Sequence, residues 1–139
     1  MLKEKVTFEF ESMEEMLKLL EDEHKKYENH QERELIKETL ERIIEKIERV
    51  NGANQCTIEN EENWGYTFDD EFYVVEKYEK YTSAGASGYD ERLHAHVEMK
   101  TEVLELEFQL EYDVEIVNLI DAPFRHESFG TMSLSYSFK

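Results

Sequence analysis

From Leu104 to Ile116 apolar and polar residues alternate without a break. Leu104, Leu106, Phe108, Leu110, Tyr112, Val114 and Ile116 are separated by Glu105, Glu107, Gln109, Glu111, Asp113 and Glu115. A period of two over so long a run specifies a β-strand with one buried and one solvated face, because a helix would scatter these apolar residues around its circumference. Such a strand needs neighbours on its edges and a second layer over its apolar face. In the preceding run Leu93, Ala95, Val97 and Met99 form the apolar set. The phase therefore slips between Thr101 and Leu104, which predicts a bulge or a tight turn there.

The covering layer is predicted near the amino end. Residues 5–11 alternate around Val6, Phe8 and Phe10 as a first strand, and Ser12-Met-Glu-Glu15 then has the form of a capping box. Met13, Met16, Leu17, Leu20 and Tyr27 recur at helical spacing. After the polar Glu28-Asn29-His30-Gln31, Asn29 with Glu32 can cap a second helix whose apolar face is Leu35, Ile36, Leu40, Ile43, Ile44, Ile47 and Val50. Asn51-Gly52 is its predicted stop. Residues 12–50 thus read as an α-helical hairpin.

Beyond Gly52 the period changes to two, and Phe, Tyr, Val and Thr dominate the predicted strands 54–60, 64–68, 71–82, 91–101, 103–117 and 129–138. The small residues of Ser83-Ala-Gly-Ala-Ser-Gly88 predict a flexible loop, and Asp121-Ala-Pro-Phe124 a second connection. The expected fold class is α+β in one domain over 1–139, with a strand and helical hairpin in 1–52 and an antiparallel sheet in 53–139. In total about five to seven strands would pack against the hairpin.

A chain of 139 residues can bury a core without disulfides or metals. Its single cysteine, Cys56, excludes an internal disulfide framework and points to a reducing cytoplasm. No apolar run approaches the ~20 residues of a membrane span. Thirty-four acidic residues against sixteen Lys and Arg give a net charge of −18. That field repels nucleic acid and anionic lipid and attracts basic proteins. Residues 1–50 carry fifteen acids and ten bases, whereas the remainder carries nineteen acids and six bases, so the sheet-forming part is the acidic pole.

Few residues offer chemistry. His94 and His96 share one face of a strand, an arrangement able to supply two metal ligands. Gly88 followed by His94-x-His96, with Glu102 beyond, resembles the first metal motif of the cupins and would imply a metal-dependent enzyme or small-ligand module. Glu102 lies one or two residues beyond that family's spacing, and the region of Pro123 and His126 lacks the Gly and Asn of its second motif. Arg92, His94, His96, Glu98 and Lys100 also read as the solvated side of an amphipathic strand. His24 and His30 suit the carboxyl end and turn of a helix. Glu61-Glu62 and Asp69-Asp70-Glu71 are adjacent acids, which is not the separated, differently tuned pair that glycosidases need. The chain has no phosphate-binding glycine loop and no nucleophile, base and acid set, so neither catalysis nor a cofactor is expected.

Carboxylates two residues apart on a strand are ~6.7 Å apart, about twice the ~3.4 Å rise per nucleotide of one DNA strand. Glu105, Glu107, Glu111, Asp113 and Glu115 can therefore present phosphate-like charge, and Glu61, Glu62, Asp69, Asp70 and Glu71 add to it. The opening Val-Thr-Phe-Glu-Phe-Glu-Ser-Met-Glu-Glu-Met-Leu-Lys-Leu-Leu, in a small Glu- and Tyr-rich chain with one proline, resembles small phage and mobile-element proteins of low-GC bacteria. Among these are DNA-mimic anti-restriction and anti-CRISPR proteins, and acidic immunity proteins that cap basic nucleases look similar. The resemblance implies a non-catalytic inhibitor in the cytoplasm of a host bacterial cell. Its partner would be a basic nucleic-acid-handling protein, such as a defence effector or nuclease, rather than nucleic acid or membrane. A homodimer is compatible with the same sequence.

Overall fold

Strand β1 (Lys3–Phe10) turns Phe10 fully inward and ends where Ser12 caps helix α1 (Met13–Lys25). The computed structural model describes residues 3–29, 33–52, 56–59, 73–85, 88–117 and 125–138. The Glu15 N–H donates to the Ser12 hydroxyl at 3.1 Å, as predicted, while the Glu15 carboxylate accepts from the Glu11 N–H at 3.2 Å, one residue upstream of the cap. Helix α2 (Glu34–Asn51) departs from the local pattern at both ends. It starts at Arg33, which makes no side-chain cap, rather than at Asn29. The Arg33 guanidinium instead reaches Glu4 at 3.1 Å and Tyr136 at 3.3 Å, so a contact with the sheet fixes where the helix begins. Gly52 ends it in the right-handed region, at φ −75°, and not in the left-handed cap expected of a glycine. Lys80 satisfies that terminus by donating to the Asn51 carbonyl at 2.6 Å.

The remaining elements are β2 (Cys56–Glu59), β3 (Tyr73–Gly85), β4 (Gly88–Lys100), β5 (Leu104–Val117) and β6 (Arg125–Phe138). With β1 they form one antiparallel six-stranded sheet in the order β1-β6-β5-β4-β3-β2. The α+β class with a helical hairpin on the sheet is therefore observed. Pairing continues through Ser83↔Asp90, Ala84↔Tyr89 and Gly85↔Gly88, so the six-residue loop expected at 83–88 is mostly strand and its connection shrinks to residues 86–87. The phase slip after Met99 is a turn and not a bulge. Lys100 pairs with Glu105, and the Thr101 N–H donates to the Leu104 carbonyl at 2.8 Å. The Thr101 hydroxyl braces the same turn by accepting from Leu104 N–H at 3.1 Å. The expected strand 64–68 and the connection 121–124 lie outside the described residues.

One face of the sheet meets the helices. Leu93, Val97 and Met99 of β4, Leu104, Leu106, Phe108 and Leu110 of β5, and Met132 and Leu134 of β6 form a continuous core with Met16, Leu20, Ile36, Leu40, Ile43, Ile47 and Val50. Helix α1 packs on β1 and α2 on β2 and β3. Gly130 of β6 sits on this inner face beneath the stacked rings of Phe10 and Tyr112, whose centroids are 5.5 Å apart. A methyl group there would overlap the Phe10 ring and approach Tyr112 Cδ2 to 2.9 Å, so the glycine is what lets the two rings lie over the strand.

Two charged residues of β3 also point inward. Glu76 of β3, 1 % exposed, receives Arg42 of α2 through Nε at 3.2 and 3.1 Å and Nη2 at 2.6 Å. Lys80, on the same side of β3, pairs with Glu91 at 3.4 Å besides holding Asn51.

Candidate protein-binding face

The opposite face of the sheet is covered by neither helix, and its side chains form rows set by the strand register. Across β3, β4, β5 and β6 these rows read Tyr73, Lys100, Glu105, Ser137; then Val75, Glu98, Glu107, Ser135; then Lys77, His96, Gln109, Ser133. They continue as Glu79, His94, Glu111, Thr131 and then Tyr81, Arg92, Asp113, Phe129. Read along the strands, β5 is an acidic column, β4 a mixed column rich in cations and imidazoles, and β6 a column of small hydroxyls ending in Phe129. Lys5, Thr7 and Glu9 of β1 stand beyond Ser135, Ser133 and Thr131.

All five predicted acids of β5 are exposed on this face: Glu105, Glu107, Glu111, Asp113 and Glu115. Their charge is not unopposed. Lys100 lies 3.9 Å from Glu105, and both Arg92 and His94 lie 3.8 Å from Asp113. Gln109 donates to Glu107 at 2.6 Å. Lys100 and Arg92 approach from the β4 side, because register places them there. Toward β6, Glu105, Glu107, Glu111 and Asp113 stand opposite Ser137, Ser135, Thr131 and Phe129, whereas Glu115 stands opposite Glu127. Exposed ion pairs of this kind contribute little to stability and are open to exchange.

His94 and His96 lie on the same outer face, each about two-fifths exposed. His94 stands between Glu79 and Glu111, whereas His96 stands between Lys77 and Gln109 and reaches Glu98 at 3.7 Å. Glu102 belongs to the turn beyond Lys100 and is not brought to them. Among the described residues no group of three His, Cys, Asp or Glu side chains is gathered closely enough to hold a metal ion. A shallow depression of about 310 Å³ over Lys77, Glu79, His94, His96, Gln109 and Glu111 is open to solvent. The acids Glu61, Glu62, Asp69, Asp70 and Glu71 lie outside the described residues, as do His30 and the candidate region at Pro123. His24 joins the helices, with Nε2 2.9 Å from Glu41.

Comparison with known protein families, curated proteins and solved structures returns no match. The chemistry available to the chain is therefore read from its own side chains. Among the described residues no helix is long and apolar enough to cross a membrane.

A polar cluster that the sequence did not reveal lies where α1 meets β1 and β6. The Tyr136 hydroxyl donates to Glu4, the Tyr27 and Tyr136 hydroxyls are 3.1 Å apart, and Tyr27 also reaches the buried Glu23 at 3.0 Å. Arg33 closes the group and lies over both rings, about 6 Å from each centroid. The hydrogen bond from Tyr136 holds the Glu4 carboxyl below its ordinary range against the opposing effect of burial, and Arg33 adds to the shift. Burial pushes both phenols up, as it does the Tyr78 phenol beside Glu76. Phenols held protonated are poor nucleophiles, so the cluster ties the helical hairpin to the sheet rather than offering a reactive group.

Proposed function

We propose that the protein is a non-catalytic inhibitor that occupies the nucleic-acid-binding surface of a basic host protein, such as a defence nuclease, through the acidic column of β5. The observation that carries this reading is the exposure of Glu105, Glu107, Glu111, Asp113 and Glu115 on a sheet face that neither helix covers. The net charge of −18 supports it, since such a field speeds encounter with a basic partner and disfavours direct contact with nucleic acid.

The test compares two triple substitutions that remove the same charge. Glu105, Glu107 and Glu111 are exchanged together for Gln, and in a control Glu38, Glu45 and Glu48 on the exposed side of α2 are exchanged instead. Partners retained from a bacterial lysate at low salt and released at high salt are purified and titrated against both. A phosphate mimic loses affinity mainly through the strand triple. Equal losses would reduce the acids to general steering, and no loss in either would end the proposal.

A further inference from the structure

Strand β1 is an edge of the sheet, and its geometry invites a further strand. It pairs with β6 without interruption from Lys3↔Ser137 to Phe10↔Gly130, and among the described residues β6 is its only neighbouring strand. Protected edges are short, bulged, carry proline or turn a charge inward. In contrast, β1 has eight residues in regular register and no proline, and its central inward positions, opposite the buried Met132 and Leu134, are Phe8 and Val6. Its inward carboxylate, Glu4, is held by Arg33 and Tyr136. Val6 and Phe8 are only half-buried although they stand on the helix side, so α1 does not close over them. The free main-chain groups can also be placed. The Thr101 N–H donates to the Leu104 carbonyl, which makes these two a hydrogen-bonded pair, and successive residues of an antiparallel strand then point their N–H and C=O to alternate flanks. Carried through the register of β5 and β6, this alternation turns the groups of Glu4, Val6 and Phe8 toward β6 and those of Lys5, Thr7 and Glu9 to the free edge.

We infer that the free edge of β1 is an interface on which a second copy of the chain docks its own β1, antiparallel and with Thr7 opposite Thr7. Charge complementarity selects the occupant and the register. With the two-fold axis at Thr7, Lys5 stands opposite Glu9 of the second copy and Glu9 opposite its Lys5, all on the outer face. Val6 and Phe8 oppose each other twice on the helix side, which covers the apolar flank that α1 leaves open. Other registers lack this match. An axis at Lys5 or at Glu9 sets like charges against each other, an axis at Val6 puts Glu4 opposite Phe8, and an axis at Phe8 leaves Lys5 and Glu9 without a countercharge inside the strand. The Thr7 register also opposes the residues whose main-chain groups are free, so up to about six hydrogen bonds can form. A net charge of −18 on each chain works against association, but the edge lies in residues 1–50, where fifteen acids are offset by ten bases. The interface is independent of the β5 acids, which stand two strands away. It would join two six-stranded sheets into one, with both helical layers on the same side because opposed residues share a face.

Sedimentation of the full chain between about 1 and 200 μM should show the 16.7 kDa monomer converting to a species of twice that mass. A single-chain mass throughout overturns the interface. Lys5→Glu alone and Glu9→Lys alone each place like charges at both cross-strand pairs, so each should weaken the dimer about tenfold or more. General repulsion between acidic chains would instead make the Glu9→Lys variant associate more tightly than wild type. Mixed together, the two variants regain both attractive pairs, and their heterodimer should form at least about tenfold more tightly than either homodimer. A mixture no tighter than its components refutes the register. Thr7→Pro removes an N–H that faces the free edge and leaves the ladder to β6 intact, so it should abolish the dimer in a chain that keeps its circular dichroism. A dimer that survives this change lies elsewhere on the molecule. Should the proline variant unfold, hydrogen exchange on the unaltered protein decides. The Lys5, Thr7 and Glu9 amides should be protected at high concentration and exchange freely on dilution, and free exchange in the dimer would exclude the β1 edge.

Discussion

Glu98 and Glu107 stand directly opposite each other across β4 and β5, so two carboxylates share one cross-strand pair. Tyr73 donates to Glu98 and Gln109 to Glu107, each at 2.6 Å. These donors ease the repulsion without removing it. Like charges opposite each other weaken a sheet, and pair effects of this kind amount to ~0.2–1 kcal/mol. Glu107→Gln should therefore stabilise the protein by an amount in that range, with the gain shrinking as salt rises. Chemical denaturation at low and high ionic strength checks it. Loss of stability would mean that the carboxylates are already neutralised by something bound.

The buried pair of Arg42 and Glu76 should behave in the opposite sense. Arg42→Ala leaves a carboxylate in the core without its main counter-charge and should cost ~3–5 kcal/mol in denaturant unfolding. Exchanging both residues, Arg42→Met with Glu76→Leu, should recover most of that loss. A small effect of the single change would show that the carboxylate has access to water.

Gly130 gives a prediction that runs against strand propensity. Alanine is the better strand residue in general, yet Gly130→Ala should destabilise by ~1–3 kcal/mol because the added methyl overlaps the Phe10 ring. Combining it with Phe10→Leu should relieve much of the penalty. Thermal unfolding of the single and double variants separates overlap from a change in backbone preference.

Alkaline pH should unfold the protein through its buried phenols. Tyr27, Tyr78 and Tyr136 all have raised values, chiefly from burial. The unfolded chain gives up these protons near the ordinary value of 10.0 while the folded chain keeps them. Above that point the unfolded state binds fewer protons, so stability is fully present below it and falls as pH rises further. Phenolate absorbance should show these tyrosines titrating only together with loss of structure. Smooth titration in a still-folded protein would place their hydroxyls in contact with solvent.

How much could be read in advance depended on whether the deciding partner was near in sequence. The alternation from Leu104 to Tyr112 identified both faces of β5, and the Met16 to Leu20 and Ile36 to Val50 stripes identified the buried sides of the helices. Strand β3 could not be read this way. Its inward side is Val74, Glu76, Tyr78 and Lys80, while Val75 and Tyr81 face out. Charge is tolerated inside because α2 lays Arg42 and the Asn51 carbonyl over it, and no local pattern records that. The acids of β5 were legible as a column, but the cations beside them follow from the Lys100↔Glu105 register, which a turn at Thr101 sets and a bulge would have shifted.

The first strand pairs with the last, from Lys3↔Ser137 to Phe10↔Gly130. During synthesis β1 therefore emerges long before the only described strand that can hold it, and the Phe10 ring has no glycine to rest on until the final hairpin is made. Contacts between residues so far apart in the chain are slow to form, because the loop between them must close first. Until then the nascent chain exposes an unpaired edge of alternating Val6, Phe8 and Phe10. The charged residues between them, Lys5, Glu9 and their neighbours, are well placed to keep such an edge from pairing out of register with another copy while the ribosome finishes the chain.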